Sequence, residues 1–210
     1  MTAFDPAFRD ALRDLIVWRR DVRRFRRDAL PPGAIEHLLQ LASLAPSVGL
    51  SQPWRFVVVE DAARRAAVRE NFLRCNEAAL ATYAGERAQR YATLKLAGLD
   101  EAPVHLAAFT DRGTTQGHGL GRRTMPEMAE YSTVMAIHTM WLVARAEGLG
   151  LGWVSILDPA EVARILEVPP EWIFLGYFCL GYPQREETTP ELEREAWEQR
   201  RAWESFVLRR

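Results

Sequence analysis

Residues 126–147 place the strongest constraint on what this chain can fold into. They begin with Pro126, are followed by Gly148 and predict one long helix. Apolar side chains surround this helix and leave little polar face: Tyr131, Val134, Met135, Ile137, Met140, Trp141, Leu142 and Val143. A helix that is apolar nearly all round is buried on all sides. In a chain of 210 residues, this predicts either the centre of the fold or a subunit interface, with His138 as a structural residue.

The rest of the chain alternates amphipathic helices with short strands. The first helix begins at Asp5, which can cap it, and ends near Trp18. Its apolar stripe predicts one buried face, formed by Phe8, Leu12, Leu15 and Ile16. Apolar runs rich in β-branched residues predict strands at 55–59, 104–109, 150–157 and 173–182. The tail, residues 190–210, predicts a charged helix that cannot bury its aromatic side chains alone, so we expect it to wrap a partner subunit.

Composition and charge argue against several classes of protein. The formal net charge is −1, whereas bulk nucleic-acid binding depends on the neutralisation of phosphates by a basic surface. The longest apolar run, residues 134–144, is shorter than the ~20 residues of a membrane span. Cys75 and Cys179 lie far apart and outside any metal-ligand pattern, so we predict no disulfide scaffold and no metal. The N-terminus has no signal-peptide pattern, and we expect a cytoplasmic protein.

Residues 18–25 read Trp-Arg-Arg-Asp-Val-Arg-Arg-Phe and follow the first helix directly. Guanidinium groups bind phosphate bidentately, which an ammonium group cannot do. An anion site is therefore predicted at Arg19, Arg20 and Arg23, and the Asp21 carboxylate is expected to face away from the anion. Taken alone, such a run is more often a solvated basic face. An alternative, from a different class of protein, is a basic module at 19–27 that binds nucleic acid or another anion.

A second polar stretch, residues 45–54, precedes the strand at 55–59. It contains Ser47, Ser51 and Gln52, whose side chains could hydrogen-bond a ligand; a plain helix-to-strand connection fits the local sequence equally well. Residues 110–123 contain four glycines after a strand. That loop is too long for the tight strand-turn-helix of a dinucleotide-binding fingerprint, so a flexible lid or substrate loop is the better interpretation.

Two motifs in this order resemble the nitroreductase superfamily of flavin enzymes. R-R-x-x-R-x-F matches its phosphate-binding segment, and P-S-x-x-x-S-Q-P-W matches its second flavin-contacting loop. With G-L-G-R-R-T-M-P-E-M and G-W-V-S-I-L-D-P, the pattern is similar to the members of that superfamily that make 5,6-dimethylbenzimidazole, the lower ligand of cobalamin. The resemblance covers about residues 15–183. Asp21 and Ser51 stand where ordinary nitroreductases usually carry serine and asparagine, which favours this subfamily.

The resemblance implies an α+β, nitroreductase-like fold, with a central, mainly antiparallel or mixed sheet flanked by helices. It implies a homodimer with each flavin near the interface, an FMN-binding domain at 1–185 and a C-terminal helical arm at 186–210 that packs on the partner subunit. It also implies that reduced FMN and dioxygen are substrates, that the flavin is consumed, and that erythrose 4-phosphate is released. A separate flavin reductase would supply the reduced FMN.

Carried over residue by residue, the resemblance assigns two catalytic residues and a flavin-binding set. Asp21 and Ser155 would move protons while carbon bonds break, and the arginines beside Asp21 should keep its carboxyl ionised. The predicted FMN-binding residues are Arg19, Arg20, Asp21, Val22, Arg23, Ser47, Ser51, Gln52, Leu96, Trp153 and Ser155. The alternative enzyme is a conventional FMN-dependent reductase that uses NAD(P)H to reduce nitro compounds or quinones.

Overall fold

A four-stranded antiparallel sheet forms the centre of the fold in the computed structural model, which describes residues 3–94 and 96–210. The strands are β1 (Trp54–Val58), β2 (Val104–Asp111), β3 (Gly150–Val154) and β4 (Trp172–Gly181), in the spatial order β1-β2-β4-β3. Every neighbouring pair is antiparallel. The predicted α+β class with an antiparallel sheet flanked by helices is confirmed.

Eight α-helices surround the sheet in the described part of the chain. They are α1 (Pro6–Trp18), α2 (Ala34–Ala42), α3 (Ala62–Leu80), α4 (Gly85–Thr93), α5 (Gly98–Glu101), α6 (Met128–Ala146), α7 (Pro159–Ile165) and α8 (Glu191–Arg194). Short 3-10 turns lie at Val48–Leu50, Gln116–Gly119 and Trp203–Phe206. Across residues 3–94 and 96–210, no helix combines the length and the apolar character that a membrane crossing requires.

Two apolar clusters cover the two faces of the sheet. Successive residues of β4 point to opposite sides, so Tyr177 and Cys179 belong to one cluster while Phe178 and Leu180 belong to the other. Helices α3, α5 and α7 complete the first cluster, and α2 and α6 complete the second. The sheet is thus buried on both faces, which leaves its ends and its two edge strands, β1 and β3, available for a site.

Helix α1 begins as predicted, because the Asp5 carboxylate accepts the main-chain N–H of Phe8 at 2.8 Å and caps the first turn. The prediction that its apolar stripe is buried is wrong for the single chain. Phe8, Leu12 and Ile16 are all exposed, although they share one face. Periodicity identifies an apolar face correctly but does not say whether the covering surface belongs to the same chain.

Helix α6 likewise has one uncovered face. Ala136, Ile137 and Met140 are buried against the sheet, as predicted for a central helix. Tyr131 and Met135 are 52% and 45% exposed, however, and His138 lies on the surface as well. Within one chain, α6 is therefore not buried on all sides, and His138 does not have the buried, structural role that was predicted.

The tail is not the single charged helix predicted for residues 190–210. It contains only α8 and the 3-10 turn Trp203–Phe206. Trp197 packs edge-on against Tyr83, with ring centroids 5.5 Å apart, and so ties the first half of the tail to the helical region before β2 of its own chain. Trp203 and Phe206, further along, remain exposed. Proline at 190 and the left-handed backbone at Ala196 (φ 53°) confine the helix to one turn.

Candidate functional site

The arginine-rich segment after α1 lies along β3, one of the two edge strands of the sheet. Val22 donates its main-chain N–H to the Leu151 carbonyl at 3.1 Å, and Asp21 forms a parallel bridge with Leu151. Glycine is required beneath this segment, because a Cβ on Gly152 would lie 2.1 Å from the Val22 carbonyl oxygen. The close approach of the Val22 carbonyl to Gly152 places the Asp21 side chain within hydrogen-bonding distance of Trp153, the next residue of β3.

Asp21 is held at the sheet edge through both of its carboxylate oxygens. Oδ1 accepts the main-chain N–H of Trp153 at 2.9 Å, and Oδ2 lies 3.4 Å from Nε of Arg23. The surrounding protein raises the pKa of the Asp21 carboxyl by desolvation, against the opposing effects of the Trp153 N–H and the Arg23 charge; Glu191 raises it further. The prediction that neighbouring arginines would dominate and favour the charged form is therefore corrected: burial outweighs them.

Arg19 and Arg20 pack around Trp141 of α6. The guanidinium of Arg19 lies over the Trp141 ring at 5.0 Å, and the Trp141 indole N–H donates to the Arg20 carbonyl at 3.2 Å. The Arg20 guanidinium turns back to donate to the Val17 carbonyl at the end of α1. Both side chains are half-buried, and this partial desolvation lowers the pKa of each guanidinium. A partly desolvated cation attracts an anion more strongly than one in bulk water.

A cavity of about 480 Å³ opens above Asp21 and is the site suggested by this geometry. Such a volume lies within the range of small-molecule and cofactor sites. One wall is the segment Arg20, Asp21, Val22, Arg23 and Arg24, and the other is formed by Gln184, Arg185, Glu187, Thr189, Glu191, Arg194 and Glu195. Sequence analysis missed this second wall, since no local motif indicates that residues after β4 return to the arginine segment.

The second predicted group, Ser47 to Gln52, forms a compact loop against the start of α6. The Ser47 hydroxyl oxygen accepts the main-chain N–H of Gln52 at 3.1 Å, and the Val48 N–H donates to the Ser132 hydroxyl oxygen at 3.0 Å. Gln52 has a left-handed backbone (φ 42°), which is costly for a residue with a side chain. Gln116 supports this conformation, because its amide N–H₂ donates to the Gln52 side-chain oxygen at 2.9 Å.

Ser51 differs from its neighbours because its side chain is buried. Its residue is 1% exposed, and its hydroxyl oxygen has no hydrogen-bond partner among residues 3–94 and 96–210. The 110–123 loop, predicted as a lid, packs over this region: a Cβ on Gly117 would lie 2.3 Å from the Gly49 carbonyl oxygen. The position of the 110–123 loop is therefore defined by its contacts with the Ser47–Gln52 loop.

The two predicted groups do not meet within one chain. The arginine segment contacts α6 at Trp141, whereas the Ser47–Gln52 loop contacts it at Ser132. Nine residues of helix separate these contacts, which corresponds to about 13 Å along the helix axis. The structure thus brings Asp21, Val22 and Arg23 together at Trp153, and separately brings Ser47 and Gln52 together.

Leu96 and Ser155 belong to neither group by direct contact. Leu96 packs against the core cluster that contains Phe25, and Ser155 is an exposed residue just beyond the end of β3. Ser155 lies two positions after Trp153, but no hydrogen bond joins it to Asp21 in the part of the chain that the structure describes. The Trp153 ring itself packs on Phe178, with centroids 5.0 Å apart, so its contribution at Asp21 is its main-chain N–H.

Comparison with known proteins identifies the class to which this fold and site belong. The family model described as "Nitroreductase family" matches residues 16–182, and the chain belongs to that family. Within it, the chain is 58% identical to the 5,6-dimethylbenzimidazole synthase of Rhodospirillum rubrum over 94% of both chains. It is 50% identical to the 5,6-dimethylbenzimidazole synthase of Rhodobacter capsulatus, over 93% of this chain and 95% of that one. The resemblance to this subfamily, predicted from the motifs, is confirmed.

Solved structures show the same fold. An oxidized iodotyrosine deiodinase bound to FMN and 3-iodo-L-tyrosine superimposes with a TM-score of 0.71 at 26% identity, over 84% of this chain and 91% of that one. A BluB-like flavoprotein from Clostridium difficile 630 superimposes with a TM-score of 0.68 at 20% identity, over 94% of this chain and 97% of that one. The deiodinase therefore holds FMN within this fold.

Proposed function

We propose that this protein converts reduced FMN and dioxygen into 5,6-dimethylbenzimidazole, releases erythrose 4-phosphate from the ribityl phosphate, and leaves the pyrimidine part of the flavin ring as a separate fragment. The observation that carries the proposal is a carboxylate, Asp21, held on the sheet edge inside an arginine-lined cavity. The 58% identity to a protein named 5,6-dimethylbenzimidazole synthase supports the same conclusion. Flavin is a substrate in this reaction: reduced flavin provides the electrons, and dioxygen is the oxidant.

The arginine segment is suited to the phosphate end of the flavin. Arg19 and Arg20 are partly desolvated cations, and Arg23 is 14% exposed beside Asp21. A phosphate monoester carries up to two negative charges and offers oxygen acceptors for bidentate guanidinium contacts. We therefore assign Arg19, Arg20 and Arg23 to the phosphate, with Val22 fixing their backbone on β3.

Asp21 is assigned as the proton acceptor during fragmentation. A general base must be ionised when it acts and works best when its pKa approaches the working pH. Desolvation raises the pKa of Asp21 in that direction, while the Trp153 N–H keeps the carboxylate oriented. Ser155 follows β3 by one residue, and we assign it a supporting role in positioning or relaying a proton.

A homodimer would complete the site. The described chain exposes apolar residues on α1, on α6 and in the tail, and the surface of the single chain is 13033 Å². A compact monomer of 23.9 kDa is expected to expose about 9,900 Å². The excess corresponds to the area that one subunit buries in a large obligate interface. We propose that residues 186–210 contribute to this interface as an arm beyond the domain at 1–185.

In such a dimer, the arginine segment of one subunit and the Ser47–Gln52 loop of the other bind the same flavin. The arginine segment and the Ser47–Gln52 loop lie about 13 Å apart along α6. We propose that each flavin lies near the interface, with phosphate contacts from one subunit and contacts from Ser47 and Gln52 of the other. The predicted contact from Ser51 does not form in this arrangement, because its hydroxyl is buried within its own subunit. Leu96 and the main chain of Trp153 are assigned to the ring side of the same site.

Two assignments remain: the source of the reduced FMN and the cellular location of the protein. Because the flavin is consumed, the protein needs a separate reductase that delivers reduced FMN, and we propose such a partner. A cytoplasmic location, where flavin reductases and their nicotinamide donors occur together, stays a prediction. A conventional nitroreductase would instead keep its flavin through many cycles.

The experiment that tests the proposed function compares two assays on the purified protein. In the first, reduced FMN is mixed with oxygenated buffer, and 5,6-dimethylbenzimidazole is measured by mass spectrometry. In the second, NADPH or NADH is supplied with a nitro compound or a quinone. We expect the benzimidazole only in the first assay and no sustained nicotinamide turnover in the second. Turnover of the nicotinamide with intact flavin and no benzimidazole would contradict the proposal.

A further inference from the structure

The backbone just after Asp21 is held at a second place, by the side chains of Glu101 and Gln184. The main-chain N–H of Phe25 donates to Oε2 of Glu101 at 3.0 Å. The Gln184 side-chain amide donates to the Phe25 carbonyl at 2.9 Å and to the same Glu101 oxygen at 3.3 Å. The Gln184 main-chain N–H donates to the Arg24 carbonyl at 3.1 Å. Glu101 ends α5, so residues from three distant parts of the sequence converge here.

Arg23 lies between the two points at which this segment is held. On its N-terminal side, Val22 is bonded to β3 through the Leu151 carbonyl. On its C-terminal side, the Glu101 and Gln184 contacts fix Arg24 and Phe25. With both neighbours held, the direction in which the Arg23 side chain leaves the backbone is determined. That side chain is 14% exposed and pairs with Asp21 at 3.4 Å.

A carboxylate is well suited to the position of Glu101. One of its oxygens accepts two donors at once, the Phe25 N–H and the Gln184 amide. Hydrogen bonds to an ionised acceptor are roughly twice as strong as those between neutral groups. Glu101 has no assigned part in the reaction and does not line the cavity above Asp21.

We propose that Glu101 is a positioning residue for phosphate recognition: together with Gln184 it holds residues 24–25 so that Arg23 meets the flavin phosphate. This inference rests on the proposed phosphate site. A role limited to stability would affect all ligands of the folded protein equally. A positioning role affects the phosphate contact and leaves the contacts of the isoalloxazine ring unchanged, because those lie elsewhere in the site.

The test therefore measures how much the phosphate contributes to binding. Oxidised FMN and riboflavin are titrated into the full-length protein, and the ratio of their dissociation constants is determined from flavin fluorescence. Wild type is measured first, and we expect it to prefer FMN. Glu101→Ala should then lower the FMN preference by roughly ten-fold, which corresponds to the loss of about one charged hydrogen bond to the phosphate. Glu101→Gln keeps an acceptor oxygen and should restore most of the preference.

Two further variants keep the experiment decisive. Glu171→Ala removes an exposed carboxylate just before β4 and should leave the ratio at the wild-type value. Gln184→Ala removes an exposed amide that bonds the Phe25 carbonyl and Glu101 and that also lines the cavity, so it should lower the ratio in the same direction as Glu101→Ala, even if the latter folds poorly.

The outcomes separate this inference from the function on which it rests. If wild type prefers FMN but Glu101→Ala and Gln184→Ala keep the full preference, the positioning role is wrong and the phosphate site stands. A lower melting temperature with an unchanged ratio has the same meaning. If wild type itself binds riboflavin as tightly as FMN, the phosphate site fails and the inference fails with it.

Discussion

The main-chain N–H of Trp153 donates to Oδ1 of Asp21 at 2.9 Å across 132 residues of sequence. This bond requires the segment after α1 to lie directly on β3, and the glycine at position 152 leaves room for it. One carboxylate oxygen is thereby occupied, and the other faces Arg23. The relationship gives the Asp21 carboxyl a fixed direction and a raised pKa at the floor of the cavity.

Replacement of Asp21 by asparagine should separate binding from chemistry. Asp21→Asn keeps the size of the side chain and an acceptor for the Trp153 N–H but removes basicity. We expect it to bind reduced FMN and to form 5,6-dimethylbenzimidazole about 10²–10⁴-fold more slowly, the usual cost of removing a general base. Single-turnover assays with product quantification measure this. Product formation at the wild-type rate would exclude Asp21 as the base.

The pH dependence of product formation should report the pKa of Asp21. Activity needs the ionised carboxylate, so it is full at pH values above that pKa and is lost as the pH falls through it. Because burial raises this pKa, the acid limb should lie above the ordinary pKa of an aspartate. Glu191 adds to the rise, so Glu191→Gln should move the acid limb to lower pH. An acid limb that stays in place in the residual activity of Asp21→Asn would show that the limb belongs to another group.

His105 should make the folded state sensitive to acid. It is buried beside Tyr177, with Nδ1 3.0 Å from the phenol oxygen, and burial lowers its pKa to about 4. In the unfolded chain, histidine binds its proton near pH 6.5. The folded state therefore loses stability as the pH falls from about 6.5 to about 4, by about 3 kcal/mol in total.

Urea unfolding at pH 7.5 and at pH 5 measures this loss. The variant His105→Phe removes the titrating group, so the difference between its stabilities at the two pH values should be smaller than in wild type. His37→Gln, at an exposed position on α2, is the matched control and should behave as wild type. An equal pH dependence in His105→Phe and wild type would contradict the assignment.

The exposed face of α6 should be a subunit interface. Light scattering at low micromolar concentration should give twice the chain mass of 23.9 kDa. Met135→Glu places a charge on that face and should produce a monomer with weakened FMN binding, because burying an unpaired charge is costly. Leu73→Glu, at a residue of similar exposure on α3, is the control and should stay dimeric. A wild-type monomer that binds FMN well would refute the shared site.

Local signals predicted those parts of the fold that depend on neighbours in sequence. Asp5 caps α1 and Gly148 follows α6, each as its residue type and position indicate. The two flavin motifs were recognisable because both the residue types and their spacing were present. The antiparallel sheet followed from the resemblance, since strand order is a long-range property that periodicity does not specify.

The parts that were missed depend on contacts between distant residues. Arg185 and Arg194 line the cavity because the chain turns back after β4, and nothing in their local sequence indicates this. The pKa of Asp21 was predicted from the adjacent arginines, whereas desolvation at the sheet edge has the larger effect. The exposed stripe on α1 was recognised as apolar, but sequence periodicity does not reveal whether another chain covers it.

The central claim is that the flavin is consumed, and a flavin mass balance tests it most directly. Wild-type protein is mixed with a known amount of reduced FMN labelled with ¹³C at the ribityl carbon next to the ring, and oxygen is then admitted. Flavin and 5,6-dimethylbenzimidazole are quantified together by mass spectrometry. We predict that one labelled benzimidazole appears for each flavin that disappears during turnover. Full recovery of labelled flavin as oxidised FMN, with no benzimidazole, would contradict the account.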